Sequence, residues 1–213
     1  MTTTHPRSVE RPRGELRTLL GAFWRDPARL GALVPTSRAL SRRLSSVVPA
    51  TGQPVVVELG AGTGPVSLAV RDRLPPAGRQ LAVEVDPDLV VHLRRTKPWL
   101  DVVEADAAQL RTLLAERGLT RADAVVSTLP WSLFDTGQQR LILDEVAAVL
   151  APTGAFTTVA YLPSLPLAGA RLFRRLLHDR FEEVVAGPVV WNNLPPAVTY
   201  VCRRSRREPA NHA

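Results

Sequence analysis

Three glycines at alternate positions, Gly60, Gly62 and Gly64, follow the acidic residue Glu58 and precede Pro65. Glycine has no Cβ, so the chain there can turn sharply and approach a ligand closely. Val55, Val56 and Val57 ahead of Glu58 read as a buried strand of a parallel sheet. Pro65 suits the first position of a helix, where a missing N–H costs nothing. Strand, glycine turn and helix N-terminus together make a cradle for a nucleotide-type ligand. The spacing discriminates among such ligands. A dinucleotide fingerprint runs G-x-G-x-x-G, whereas these glycines run G-x-G-x-G with proline in the place of the last one. A carboxylate at Glu58 would repel a pyrophosphate but can pair with the cationic amino-acid end of a ligand.

The stretch Glu58-Leu59-Gly60-Ala61-Gly62-Thr63-Gly64 resembles the first motif of class I S-adenosylmethionine (SAM)-dependent methyltransferases. The resemblance implies SAM as cofactor, with Gly60, Ala61, Gly62 and Gly64 around its methionine end and Glu58 assisting. Glu84 ends the second expected strand, a position from which a carboxylate accepts hydrogen bonds from a ribose diol. Val85 lies beside it, and Asp86 either shares that task or caps the next helix. The third expected strand ends in Glu104-Ala105-Asp106-Ala107. By resemblance, Asp106 takes the adenine amino group and the Ala107 N–H faces the ring. A helix cap is the other role open to Asp106.

The fourth strand ends in Ser127-Thr128-Leu129-Pro130-Trp131. In SAM enzymes this place faces the transferable methyl, with Ser127 and Leu129 on the cofactor side. It resembles the Asn/Asp-x-Pro-aromatic pattern of adenine N6-methyltransferases, including the ribosomal RNA adenine dimethylases. Thr128 stands where that Asn or Asp would be. A hydroxyl cannot reproduce an amide that donates and accepts in fixed geometry, which counts against adenine as the acceptor. Gly31–Leu40, Ser127–Pro130 and Asn193-Leu194-Pro195-Pro196-Ala197 instead resemble the bacterial phospholipid N-methyltransferase family. That resemblance covers about residues 20–203 and implies methylation of an amine on a phosphatidylethanolamine-type headgroup. RNA adenine methylation and small-molecule methylation are the alternatives.

Thr128, Trp131 and Tyr161 are the candidate catalytic residues on the acceptor side. Trp131 and Tyr161 end neighbouring strands, and aromatic faces attract a quaternising amine by ~0.5–2 kcal/mol per ring. Tyr161 and bulk water are the candidate proton acceptors. None of the four histidines has a partner pattern, and no Cys/His cluster points to a metal.

The elements that must position these residues alternate regularly. Strands are expected at Val55–Glu58, Gln80–Glu84, Asp101–Glu104, Ala124–Ser127 and Ala155–Tyr161. Helices between them are expected from Pro65 to about Leu74, at Leu89–Arg95, Ala108–Arg117 and Gly137–Leu150. A basic amphipathic helix around Leu172–Leu177 and two closing strands follow. The expectation is a single α/β domain over 51–204, with a Rossmann-like seven-stranded class I methyltransferase sheet and helices on both faces. A helical cap over 15–50 precedes it, and basic tails at 1–14 and 205–213 flank the whole, the first disordered. In the cap, Leu16, Leu19, Leu20 and Phe23 recur at helical spacing.

The net charge of +7 sits at the ends of the chain. Residues 1–50 carry nine arginines against three acids, whereas 51–202 hold fourteen basic and sixteen acidic residues. Residues 15–25 are therefore expected to meet an anionic membrane, with nucleic acid the less favoured partner. No apolar leader opens the chain and the lone Cys202 has no partner. A cytoplasmic location is expected, peripheral at the inner membrane face.

Overall fold

The computed structural model describes residues 36–206. The expected tail at 1–14, the amphipathic stretch 15–25 and residues 207–213 lie outside that range.

Seven strands form one mixed sheet in the order β3-β2-β1-β4-β5-β7-β6. They are β1 Val55–Leu59, β2 Arg79–Glu84, β3 Asp101–Glu104, β4 Ala122–Ser127, β5 Leu150–Tyr161, β6 Phe181–Ala186 and β7 Ala197–Ser205. The first five run parallel to one another, and β7 runs antiparallel between β5 and β6. The described helices are α1 Arg38–Leu44, α2 Pro65–Arg71, α3 Pro87–Thr96, α4 Leu110–Ala115, α5 Thr136–Val149 and α6 Ala168–Arg180.

Side-chain parity along the strands assigns each helix to a face. Val57, Leu81, Val83, Val125 and Phe156 pack with Leu110 of α4, Ile142 and Val146 of α5, and Phe173 and Leu177 of α6. On the other face, Val56, Ala124 and Val126 pack with Leu40 and Leu44 of α1 and Val66 and Val70 of α2. Ala82 and Val102 meet Val90 and Leu93 of α3 on that second face. Each fully buried aliphatic side chain contributes about 1.5–3 kcal/mol, so the two cores hold the sheet from both sides.

Helix starts follow local chemistry. Ser37 caps α1 by accepting from Leu40 N–H at 3.3 Å. Asp86 caps α3 by accepting from the N–H groups of Asp88 and Leu89, with Pro87 at the first helical position. Asp135 and Gln138 form a reciprocal capping box on α5. Two expectations shift. The turn expected at Pro152–Gly154 lies within β5, where Ala122 and Ala124 of β4 pair with Leu150 and Ala155, so 151–154 bulge out opposite Asp123. The helix expected at Ala108–Arg117 divides into a tight turn, Ala107–Gln109, and the short α4.

Candidate active site

The parallel ladder continues one residue beyond the strands that carry the loops. Gly60 N–H donates to Val83 O, Thr128 N–H to Leu59 O and Ala105 N–H to Glu84 O, at 2.8–3.0 Å. The site loops are thus extensions of the sheet rather than free connections. Between them lies a cleft of about 440 Å³, counting the part open to solvent, lined by Gly60, Glu84, Val85, Asp106, Ala107, Thr128 and Leu129 among others.

Glu84 is almost wholly buried. One carboxylate oxygen accepts from Gly62 N–H at 2.9 Å, the other from Val85 and Asp86 N–H at 2.8 and 3.0 Å. Burial pushes its pKa up, and those three backbone donors pull it back. Asp106 accepts from Ala108 N–H at 2.9 Å and also borders the cleft, so cap and wall are one residue. Ala107 opens its turn, and its N–H has no partner within that turn.

Five of the expected cofactor residues stand behind the cleft. Ala61 packs with Val90 and Leu93 against α3. Gly62 contributes its N–H to Glu84. Ser127 is fully buried and accepts from Leu129 N–H at 3.3 Å, shaping the turn. Gly64 adopts φ +82°, and a Cβ built there would stand 2.4 Å from Lys97 Cε. Lys97 is itself buried and donates from Nζ to Thr63 O at 2.8 Å, bracing the glycine turn from beneath. Gly64→Ala therefore combines backbone strain with displacement of that brace. It should cost about 2 kcal/mol, lowering Tm by roughly 4–8 °C in thermal denaturation. An unchanged Tm would show that the loop absorbs the change.

Glu58 is placed otherwise than expected. β1 extends through Leu59, so Glu58 takes the parity of Val56 and turns beneath α2. There it is 0% exposed and accepts from Gln80 Nε2 at 3.5 Å. Desolvation raises its pKa to about 7, against lowering contributions from Ser67 and Gln80. Its place is under the cradle, and it does not line the cleft.

Thr128 borders the cleft but donates its hydroxyl to Gly60 O at 2.5 Å, tying β4 to the glycine turn. Beyond Leu129 and Pro130, which form a common wall, lies a second hollow of about 930 Å³, counting the part open to solvent. Trp131, Val159, Tyr161, Leu165 and Phe173 contribute to its apolar lining. Trp131 is not an open aromatic cage. Phe173 stacks on it at 4.3 Å, its Nε1 donates to Thr158 Oγ1 at 2.9 Å, and Gln139 Nε2 donates to its carbonyl at 2.7 Å. Burial raises the Tyr161 pKa, so its phenolate is not available as a base near neutral pH. Burial likewise pushes the Cys202 thiol up to about 12, keeping it an inert core residue. Among the described residues no group of His, Cys, Asp and Glu is placed to hold a metal.

Sequence patterns did not single out Phe134 and Ile142, which close the cleft from the α5 side. Both are apolar residues outside any motif. The two segments Thr36-Ser37 and Asn193–Ala197 prove to be neighbours. Asn193 is buried, accepts from Ser37 N–H at 2.9 Å and donates to Pro195 O at 2.8 Å. Pro195 lines the apolar cavity, so this clamp holds its rim.

Residues 56–154 match the family model described as a methyltransferase domain. The ornithine lipid N-methyltransferase of Singulisphaera acidiphila is 39% identical over 189 residues, 86% of this chain and 93% of that protein. The chain belongs to the class I SAM-dependent methyltransferases. The ribosomal RNA small subunit methyltransferase A of Kineococcus radiotolerans is 34% identical to this methyltransferase over 137 residues, 54% of this chain and 43% of that one. Human methyltransferase-like protein 13, solved with SAH, shares the fold at TM-score 0.58 and 17% identity, with 82% of each chain covered.

SAM, the methyltransferase's cofactor, fits the residues present. Gly60 has φ +74°, and a Cβ there would meet Leu129 Cδ2 at 2.9 Å, so the glycine lets the turn lie close against Leu129 where both line the cleft. Glu84 offers a buried carboxylate at the end of β2, and Asp106 a second acceptor at the end of β3. SAM supplies the activated methyl. The chain orients it and excludes water from the reacting atoms.

Proposed function

We propose that this methyltransferase N-methylates the amine of a membrane lipid headgroup, of the phosphatidylethanolamine or ornithine-lipid type. The observation that carries this reading is the apolar, partly solvent-open cavity that meets the cofactor cleft across Leu129 and Pro130. A nucleobase or a small polar metabolite gains little from such walls, whereas an amphiphile can bury alkyl surface against them at about 25 cal/mol per Å². The Singulisphaera relative, named for ornithine lipid N-methylation, supports a lipid acceptor. In this reading Glu84 holds the ribose, Asp106 and Ala107 the adenine, and the glycine turn the methionine end.

The apolar walls also serve the chemistry. An ammonium is disfavoured where it is desolvated, so its pKa falls and the proton passes to water at the cavity mouth. The neutral amine would then be the nucleophile toward the methyl that SAM supplies, an N–C bond replacing the S–C bond as S-adenosylhomocysteine leaves, with Leu129 and Pro130 walling the place where the two meet. This route needs no side-chain base, in keeping with the raised pKa of Tyr161. The Thr128 hydroxyl is committed to Gly60 O, which supports a positioning role.

Incubation with tritiated SAM and a whole-cell extract, partitioned into lipid, RNA and soluble fractions, tests the reading. Label is expected in lipid, and label confined to RNA would overturn it. Purified phosphatidylethanolamine and ornithine lipid then separate the two headgroups. Ala170, on the cavity wall, supplies a blocking variant. Ala170→Trp should reduce lipid methylation at least about tenfold while leaving SAM affinity within about twofold, because it fills the cavity but not the cleft. Unimpaired methylation would place the acceptor elsewhere.

A further inference from the structure

Gln139 lies on α5, fully buried, and its side-chain amide joins three backbone carbonyls. Nε2 donates to Trp131 O at 2.7 Å and to Phe134 O and Gly169 O at 3.2 Å each. Turned over, the amide would set an oxygen against three oxygens, so its donor end is fixed. Trp131 and Phe134 belong to the turn after β4, and Gly169 to the first turn of α6. Both segments wall the apolar cavity, the turn with Trp131, Ser132 and Leu133, the helix with Ala170 and Phe173. Their contact is close. A Cβ built on Gly169 would stand 2.5 Å from Ser132 O, so the glycine lets the helix start rest on the turn. The same amide is tied to the cofactor side. Ile142, one helical turn beyond Gln139 on α5, closes the cofactor cleft together with Phe134.

A buried glutamine can serve merely to satisfy stray carbonyls. Here Trp131 O already accepts from Phe134 N–H at 3.3 Å, and a methionine would fill similar space. What the amide adds is direction, because it fixes the turn and the helix start to the element that also walls the cleft. Gln139 itself lines neither compartment, so it bears on their offset and not on the contact surface of either. In methyl transfer that offset matters most at the transition state, where a misplacement of about 1 Å can cost about a hundredfold. We infer that Gln139 is a positioning residue for methyl transfer, holding the acceptor cavity in register with the cofactor cleft through the Trp131–Phe134 turn and the start of α6. This rests on the cavity being the acceptor site and not on the acceptor being a lipid.

Two variants disturb the register from opposite sides. Gln139→Met removes the donor and keeps the bulk, whereas Gly169→Ala keeps the donor and pushes the helix start off Ser132. The acceptor in the assay is the fraction of the whole-cell extract that takes tritium from SAM, and rates are measured well below each variant's Tm. Both variants should lower kcat about 10- to 100-fold, with the apparent acceptor KM within about threefold and SAM affinity by calorimetry within about twofold of the parent. Should Gln139→Met not fold, Gly169→Ala alone decides. Parent-like kcat, where Ala170→Trp does block methylation, overturns the positioning role and leaves the cavity as the acceptor site. A loss matched by weaker SAM binding, or confined to KM, also overturns it, because the amide would then shape one compartment only. Unimpaired methylation by Ala170→Trp removes the cavity as acceptor site and the positioning role with it.

Discussion

Replacing Glu84 with alanine is expected to weaken SAM binding by about two orders of magnitude. The buried carboxylate already accepts from the N–H groups of Gly62, Val85 and Asp86. In the proposed complex it also accepts from the ribose hydroxyls. Hydrogen bonds to a charged group contribute about 1.5–3 kcal/mol each, and 2.8 kcal/mol is about a hundredfold in affinity. Alanine removes the ribose partner and also leaves three backbone donors of the cradle unsatisfied. Glu84→Gln keeps the volume but offers one acceptor oxygen in place of two, so its loss should be nearer tenfold. Titration calorimetry with SAM measures both. Parent-like affinity in Glu84→Ala would remove the ribose role from this residue.

The second large effect concerns pH. Desolvation lifts Glu58 from 4.5 to about 7, with nearby Glu84 raising it slightly and Ser67, Gln80 and Lys97 opposing. The folded protein therefore holds this proton up to about pH 7, whereas the unfolded chain releases it near 4.5. Between those values the native state binds more protons, so stability falls as pH rises, and it levels off above pH 7. The loss between pH 5 and pH 8 is on the order of 2–3 kcal/mol. Glu58→Gln has no proton to lose. Its Tm relative to the parent should thus rise by roughly 5–10 °C from pH 5 to pH 8. Comparing one variant across two pH values cancels the constant cost of the substitution. A difference that does not move with pH would mean that Glu58 is hydrated in solution.

The glycines, Pro65 and the acids at the tips of β2 and β3 were legible because each chemistry is local. A positive φ, a helix start or a carboxylate at a strand tip is written into one or two residues. Facing was less legible. Val55-Val56-Val57-Glu58-Leu59 is apolar toward both sides, so no alternation indicates which way Glu58 points, and Leu59 extends the strand past it. Trp131 has the composition of a cation-binding aromatic, but the ring that covers it, Phe173, comes from α6 after another strand and helix. The acceptor cavity is harder still, because its walls come from the turn after β4, the end of β5, α6 and Pro195. No window of sequence contains it. The shift at Pro152–Gly154 has the same origin: the turn residues are real, but pairing with β4 on either side makes them a bulge.

Asn193 bears on how the protein is born. Its bond to the Ser37 amide spans 156 residues of chain. β1 to β5 and the cofactor loops are complete by Tyr161, so the cradle can assemble while the final hairpin is still being synthesised. The rim around Pro195 cannot, because its clamp joins the start of α1 to a turn 156 residues further along the chain. Such distant contacts are closed late, after the loop entropy has been lost to nearer ones. The acceptor compartment therefore depends on a contact between distant parts of the chain, whereas the cofactor cleft is lined from residues 60–142 alone.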